Sequence, residues 1–124
     1  MFSHGTVTSA EGLDITVDHG DAVTVVRLRG RLSIESSPGL RDHLLAMLRE
    51  QSPKTVIVDL AGVSYIDVSG IATLIEALKV QRNRQGTLGL KGLEGPLVRL
   101  FEVTGLLALF EASGCKSAST VEVS

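Results

Sequence analysis

"KTVIVDLAGVSYIDVSGIATLIEAL" (Lys54 to Leu78) holds the two patterns that decide the fold class. Its first part, Lys54 to Leu60, is a continuous apolar, β-branched run with no alternation. A strand of that kind is buried on both faces, as in a parallel sheet. Its last part places Ile71, Leu74, Ile75 and Leu78 at i, i+3, i+4 and i+7, one face of a helix. An inner strand followed directly by a helix is the repeating unit of an α/β fold, in which the helix crosses the sheet and returns the chain to a parallel strand. Between strand and helix lies a polar knot, Asp67-Val68-Ser69-Gly70. The helix is predicted to start near Ser69 and to end before Gly86.

Working outward, Leu13–Val17 alternates apolar and polar residues, and Val23–Leu32 is β-branched before alternating arginines with apolar residues. His19-Gly20-Asp21 supplies turn chemistry between them, so the two segments form a hairpin. Ser37 and Pro38 mark a helix start, with the serine oxygen free to accept an unpaired N–H and proline tolerated in the first turn. Leu40, Leu44, Leu45 and Leu48 then share a face, and Pro53 stops that helix from continuing. Downstream, "TLGLKGL" (Thr87 to Leu93) is a third inner strand. Pro96 opens a third helix carrying Leu97, Leu100 and Phe101, and Gly105 is placed to end it in a left-handed conformation. Leu106–Phe110 forms a short last strand or helical turn. The order is β-β-α-β-α-β-α: one α/β domain over 13–112, its central mixed sheet built from an N-terminal hairpin followed by βαβα, with helices packed on it. Residues 1–12 are expected to be a flexible N-terminus and 113–124 a frayed polar tail.

Composition removes several function classes. The chain has 124 residues, a formal charge of −2 and a pI near 5.9. Phosphate-backbone binding needs a clustered basic face, whereas here Lys and Arg are scattered among acids, so no nucleic-acid partner is expected. No apolar run approaches the roughly 20 residues of a membrane span, and no membrane insertion is expected. "MFSHGTVTSAEG" has neither a basic start nor an apolar stretch, so no signal peptide is expected there. One cysteine, Cys115, cannot form an internal disulfide, consistent with a cytoplasmic setting.

Catalytic and metal chemistry find little support. His4, His19 and His43 lie in separate elements without ligand spacing, and surface histidines are the simpler reading. "GLKGLEG" fits neither a dinucleotide fingerprint nor a phosphate loop. The nucleophile elbow needs glycine two residues before the serine, where this chain has Asp67. Asp59 and Asp67 form no evident acid–base pair, and Asp59 reads as a strand end. The Asp67–Gly70 knot has two compatible readings. Asp67 or Ser69 can cap the helix by accepting its free N–H groups, a contribution of about 1 kcal/mol. A serine hydroxyl facing solvent at a helix N-terminus can also carry a phosphate, since the N–H groups and dipole there favour an anion.

The order of elements and three stretches, "VTVVRLRGRLS", "VIVDLAGVSYIDVSGIATL" and "LVRLFEVTGLLALFEA", resemble the STAS domain family, named for sulfate transporters and anti-sigma factor antagonists. The likeness is greatest to the small free-standing bacterial antagonists. Their phosphorylated serine lies in Asp-Ser-Ser-Gly, whose second serine corresponds to Ser69, with Asp67 and Gly70 retained and Val68 in place of the first serine. The resemblance implies a cytoplasmic switch with no catalytic activity and no cofactor. In the family the unphosphorylated antagonist binds an anti-sigma factor that is also its serine kinase, which frees a sigma factor and turns on transcription. Phosphorylation at Ser69 would end that binding, and a phosphatase would restore it. Ser33, Asp67, Val68, Ser69, Gly70 and Ile71 are the partner-binding residues the resemblance implies, and the oligomeric state stays open between a monomer and a weak homodimer. The chain departs from the family in "GRLS", where Ser33 replaces an aspartate of the loop near the phosphosite. Two other family roles therefore stay open: the STAS subunit of a lipid-transport ABC system, and a stressosome-type scaffold.

Overall fold

The unit expected from Lys54 to Leu78 is present in a computed structural model, which describes residues 6–106 and 108. The elements are β1 (Thr6–Ala10), β2 (Leu13–His19), β3 (Val23–Leu32), α1 (Ser37–Gln51), β4 (Thr55–Ile66), α2 (Val68–Asn83), β5 (Thr87–Lys91) and α3 (Pro96–Val103). They build one five-stranded sheet in sequence order. β1, β2 and β3 pair antiparallel, and the α1 and α2 crossovers make β4 and β5 parallel to their neighbours.

Cross-strand register explains the layering. Val17, Val26, Val58 and Leu90 lie opposite one another across four strands, as do Thr24, Val56 and Leu88 across three. Directly paired residues share a face, so this face is apolar, and it is buried together with Leu40, Leu44 and Leu48 of α1 and Leu74 and Leu78 of α2. The other face is mixed, with Val25, Ile57 and Gly89 in one row and charged residues in the next. Arg27, Asp59 and Lys91 are register neighbours there, and Asp59 lies 3.9 Å from Arg27 and 4.0 Å from Lys91. Asp59 is therefore a mid-strand residue inside an ion-pair row, and not the strand end expected of it.

Three expectations are corrected. The N-terminal segment read as flexible contains β1, which joins β2 through Glu11 and Gly12 at φ of 43° and 90°. Both residues are left-handed, the signature of a two-residue hairpin turn whose twist suits the strands. β4 runs six residues past Leu60, because two register shifts against β3 let it bend and continue to Ile66. Ser37 does not cap α1; it is the first helical residue, and its hydroxyl donates to the Ser33 carbonyl at 2.7 Å. Gly105 follows α3 at φ 77°, as expected of a helix stop. Leu106 and Ala108 are helical, and the rest of the element expected at Leu106–Phe110, like the tail 113–124, Cys115 and His4, lies outside the described residues.

Candidate functional site

β3 and β4 are parallel, so their C-terminal ends emerge side by side, and the loop after β3 meets the start of α2. Asp67 joins them. Its backbone N–H donates to the Leu32 carbonyl at 3.2 Å, and its carbonyl accepts the first helical bond of α2 from Ile71 at 3.0 Å. Its carboxylate is divided between two tasks. Oδ1 accepts from the Gly70 N–H at 3.1 Å, capping α2, and Oδ2 accepts from the Ile34 N–H at 3.0 Å, fixing the β3–α1 loop. One side chain thus satisfies a free helix donor and sets the position of a loop, and a helix N-terminus is a favourable place for a carboxylate.

Ser69 lies two residues past this cap, half-buried, and its hydroxyl bonds to no described residue; only its carbonyl is engaged, by the Thr73 hydroxyl at 3.0 Å. Capping therefore falls to Asp67, and the Ser69 hydroxyl is left available. Two exposed apolar residues belong to this region: Val68, next in sequence, is 81% exposed, and Ile34, which lines a cleft with Ser69, is 64% exposed. That cleft is open, has a volume of about 320 Å³ and lies between α1 and α2, with Ser37, Arg41, Asp42 and Thr73 also in its lining.

The other residues named as partner contacts have different places. Gly70 is buried, and a Cβ there would lie 2.6 Å from Leu32 Cγ and 2.8 Å from the Leu32 carbonyl oxygen. It permits the close approach of α2 to β3. Ile71 is partly buried against the core. Ser33 is only 4% exposed, so it cannot meet a partner through its side chain. Its N–H donates to Ser36 Oγ at 2.9 Å and its hydroxyl donates to Glu35 Oε1 at 2.8 Å. Ser33 is a framework residue, and the carboxylate absent at that position is present two residues on, at exposed Glu35. Sequence reasoning missed Ile34, although a lone isoleucine in the polar run "SIESSP" was its signal. It also missed Arg41. That side chain forks onto Glu76 of α2, with Nε to Oε1 and Nη2 to Oε2 both at 2.8 Å. The bond to Arg41 holds the Glu76 carboxyl below its ordinary range and raises the Arg41 guanidinium in turn.

Among the described residues there is no cluster of three metal-ligating side chains, and no helix is long and apolar enough to cross a membrane. Asp59 and Asp67 share no partner: the first accepts from the Ala61 N–H, the second from Ile34 and Gly70.

A mixed sheet with two helices on one face, and a serine in the capped first turn of the second, defines an α/β module. A family model described as "Mlab, STAS domain" matches residues 15–111, and the chain belongs to the STAS domain family. A protein named anti-sigma-B factor antagonist from Staphylococcus epidermidis is 32% identical over 98 residues, 79% of this chain and 89% of that protein. Among solved structures, an anti-sigma factor antagonist from Mycobacterium paratuberculosis superposes with a TM-score of 0.68 at 24% identity, covering 79% of this chain and 82% of that one. The Bacillus cell-fate determinant SpoIIAA matches in its unphosphorylated and phosphorylated forms, with TM-scores of 0.61 and 0.62 at 17% and 18% identity. Those matches cover 71% and 74% of this chain and 81% and 84% of the other. At such identities the structural matches show a shared fold.

Proposed function

We propose that this chain is an anti-sigma factor antagonist, a binding switch controlled by phosphorylation of Ser69. The observation that carries the reading is the unbonded Ser69 hydroxyl at the capped start of α2, next in sequence to exposed Val68 and lining one cleft with exposed Ile34. The name of the Staphylococcus epidermidis relative supports it. In the unphosphorylated state this apolar surface docks on an anti-sigma factor that has serine kinase activity, and a sigma factor is released. The kinase then transfers the γ-phosphoryl group of ATP to Ser69 Oγ, with ADP leaving and the hydroxyl proton released. Phosphate adds about −1.5 to −2 charge to a spot that the complex must bury. Desolvating a charge without a partner costs several kcal/mol. A penalty of about 3–4 kcal/mol weakens binding by roughly two to three orders of magnitude. A phosphatase removes the group and restores binding. The chain itself supplies position and surface, with no catalytic step assigned to its residues.

The test is incubation with the cognate anti-sigma kinase and ATP, followed by intact mass and site mapping. One phosphate on Ser69, absent in Ser69→Ala, is the expected result. Label that persists in Ser69→Ala moves the site elsewhere. A chain purified from its host with a lipid-transport ATPase or a scaffold particle, and never modified at Ser69, belongs to another branch of the family.

A further inference from the structure

The cleft beside Ser69 is lined by Ser37, Arg41 and Asp42 of α1 and by Ser69 and Thr73 of α2, and Glu76 stands two turns along α2 from Ser69. Among the described residues that line it, Arg41 is the one cation. Ser69, Thr73 and Glu76 are spaced i, i+4 and i+7, so they follow one stripe of α2 that faces α1. Arg41 reaches this stripe from α1 and holds its far end, at Glu76, through Nε and Nη2. Guanidinium has five N–H donors, so three remain after those two bonds, including both on Nη1. Nη1 has only a loose neighbour, Asp42 at 3.9 Å. A flexible side chain with spare donors therefore stands in the same cleft as the unbonded hydroxyl.

We propose that Arg41 is the internal counter-ion of phosphorylated Ser69: the guanidinium, resting on Glu76 while the serine is free, turns its unused N–H groups to the phosphate once it is present. This rests on the reading of Ser69 as a phosphosite and deepens it. A phosphate dianion carries more charge than a carboxylate and accepts a guanidinium fork, so the N–H groups that Glu76 leaves unused find a strong acceptor in it. The phosphate charge is then partly offset within the chain, while a partner pressed onto the same surface has to desolvate what is left of it. The ion pair between α1 and α2 is in this account the resting position of a two-position side chain.

The test needs neither kinase nor partner. Phosphoserine is encoded at position 69 in the full chain, and the second ionisation of the phosphate is followed by phosphorus NMR against pH. A free phosphoserine has this ionisation near pH 6. A neighbouring cation lowers it and neighbouring carboxylates raise it. With Arg41 in contact it should lie below that in Arg41→Gln by about half a unit to one unit, the low end for an adjacent opposite charge at an exposed site. Arg41→Lys should fall between, having charge without the fork. Glu76→Gln supplies the control for loosening of the helix pair. It breaks the same ion pair, so a structural effect would move both variants in one direction. The counter-ion account requires opposite directions, with Glu76→Gln lowering the phosphate ionisation further. Superimposable titrations of the parent and Arg41→Gln, or a rise in Glu76→Gln, overturn the proposal. Absence of Ser69 phosphate from the host protein would count against the proposed function while leaving this titration readable.

Discussion

Replacing Asp67 separates the capping role from the switching role, and its size can be worked from the two bonds of one carboxylate. Asp67→Ala removes the acceptor for the Gly70 N–H and the acceptor for the Ile34 N–H. Loss of an N-cap side chain costs about 1 kcal/mol. The bond to Ile34 is charge-assisted but open to water, so its net contribution is also about 1 kcal/mol. Together they come to about 2 kcal/mol. For a domain of 124 residues, 1 kcal/mol moves the unfolding midpoint by about 3–5 °C, so Asp67→Ala should unfold about 6–10 °C lower. Asp67→Asn keeps one acceptor oxygen and turns an NH2 toward the other donor, so it should fall between Asp67→Ala and the parent. Ser69→Ala removes a hydroxyl with no described partner and should stay within about 0.5 kcal/mol of the parent. Thermal and urea unfolding on the same four proteins decide the matter. If Ser69→Ala loses as much as Asp67→Ala, or Asp67→Ala unfolds with the parent, the assignment of the cap to Asp67 is refuted.

The remaining expectations concern packing, surface and pH. Gly70→Ala should lose stability, since its Cβ would lie 2.6 Å from Leu32 Cγ; overpacking of this kind costs about 1–3 kcal/mol, against at most about 1 kcal/mol gained in helix propensity, and an unchanged urea midpoint would contradict it. Val68→Asp and Ile34→Asp should leave the unfolding midpoint nearly unchanged, because both side chains are exposed, yet abolish capture of the anti-sigma partner; retained capture by both would remove them from the interface. Glu76 has its folded carboxyl lowered from 4.5 by Arg41, so the pair adds stability above the unfolded value and loses it as pH falls through the folded one. Glu76→Gln should therefore be slightly less stable than the parent at neutral pH and indistinguishable from it on acidification below that lowered value, and a gap that widens in acid would reverse the sign; both groups are exposed, so the difference is small.

What could be read from residue order was set by how local each signal is. The β2–β3 hairpin and the start of β3 follow from alternation and turn residues a few positions apart, and both match the structure. α2 was legible from Ile71, Leu74, Ile75 and Leu78, but its first turn was not, because Asp67 and Ser69 are equally good caps by residue type. The tie is broken by Ile34, a residue 33 positions away that takes the second carboxylate oxygen. β1 was missed because its five residues carry no apolar stripe and are held by pairing to β2; the Glu11-Gly12 turn was the usable sign. The length of β4 was missed because its two register shifts break the periodicity that marks a strand. Ser33 was named as a partner contact from the family resemblance, and only the fold shows that it is buried with its hydroxyl turned to Glu35. Arg41 enters the site from α1 across the cleft, a proximity created by the crossover and invisible in spacing.

The central claim is that one phosphate on Ser69 changes binding and leaves the fold alone. The most direct measurement is the affinity of the cognate anti-sigma kinase for this chain before and after stoichiometric phosphorylation, with thermal unfolding recorded on both samples. The account predicts affinity lower by roughly two to three orders of magnitude in the phosphorylated sample, and an unfolding midpoint close to that of the parent. Equal affinity in the two samples, or a phosphorylated chain that unfolds far below the parent, would contradict it.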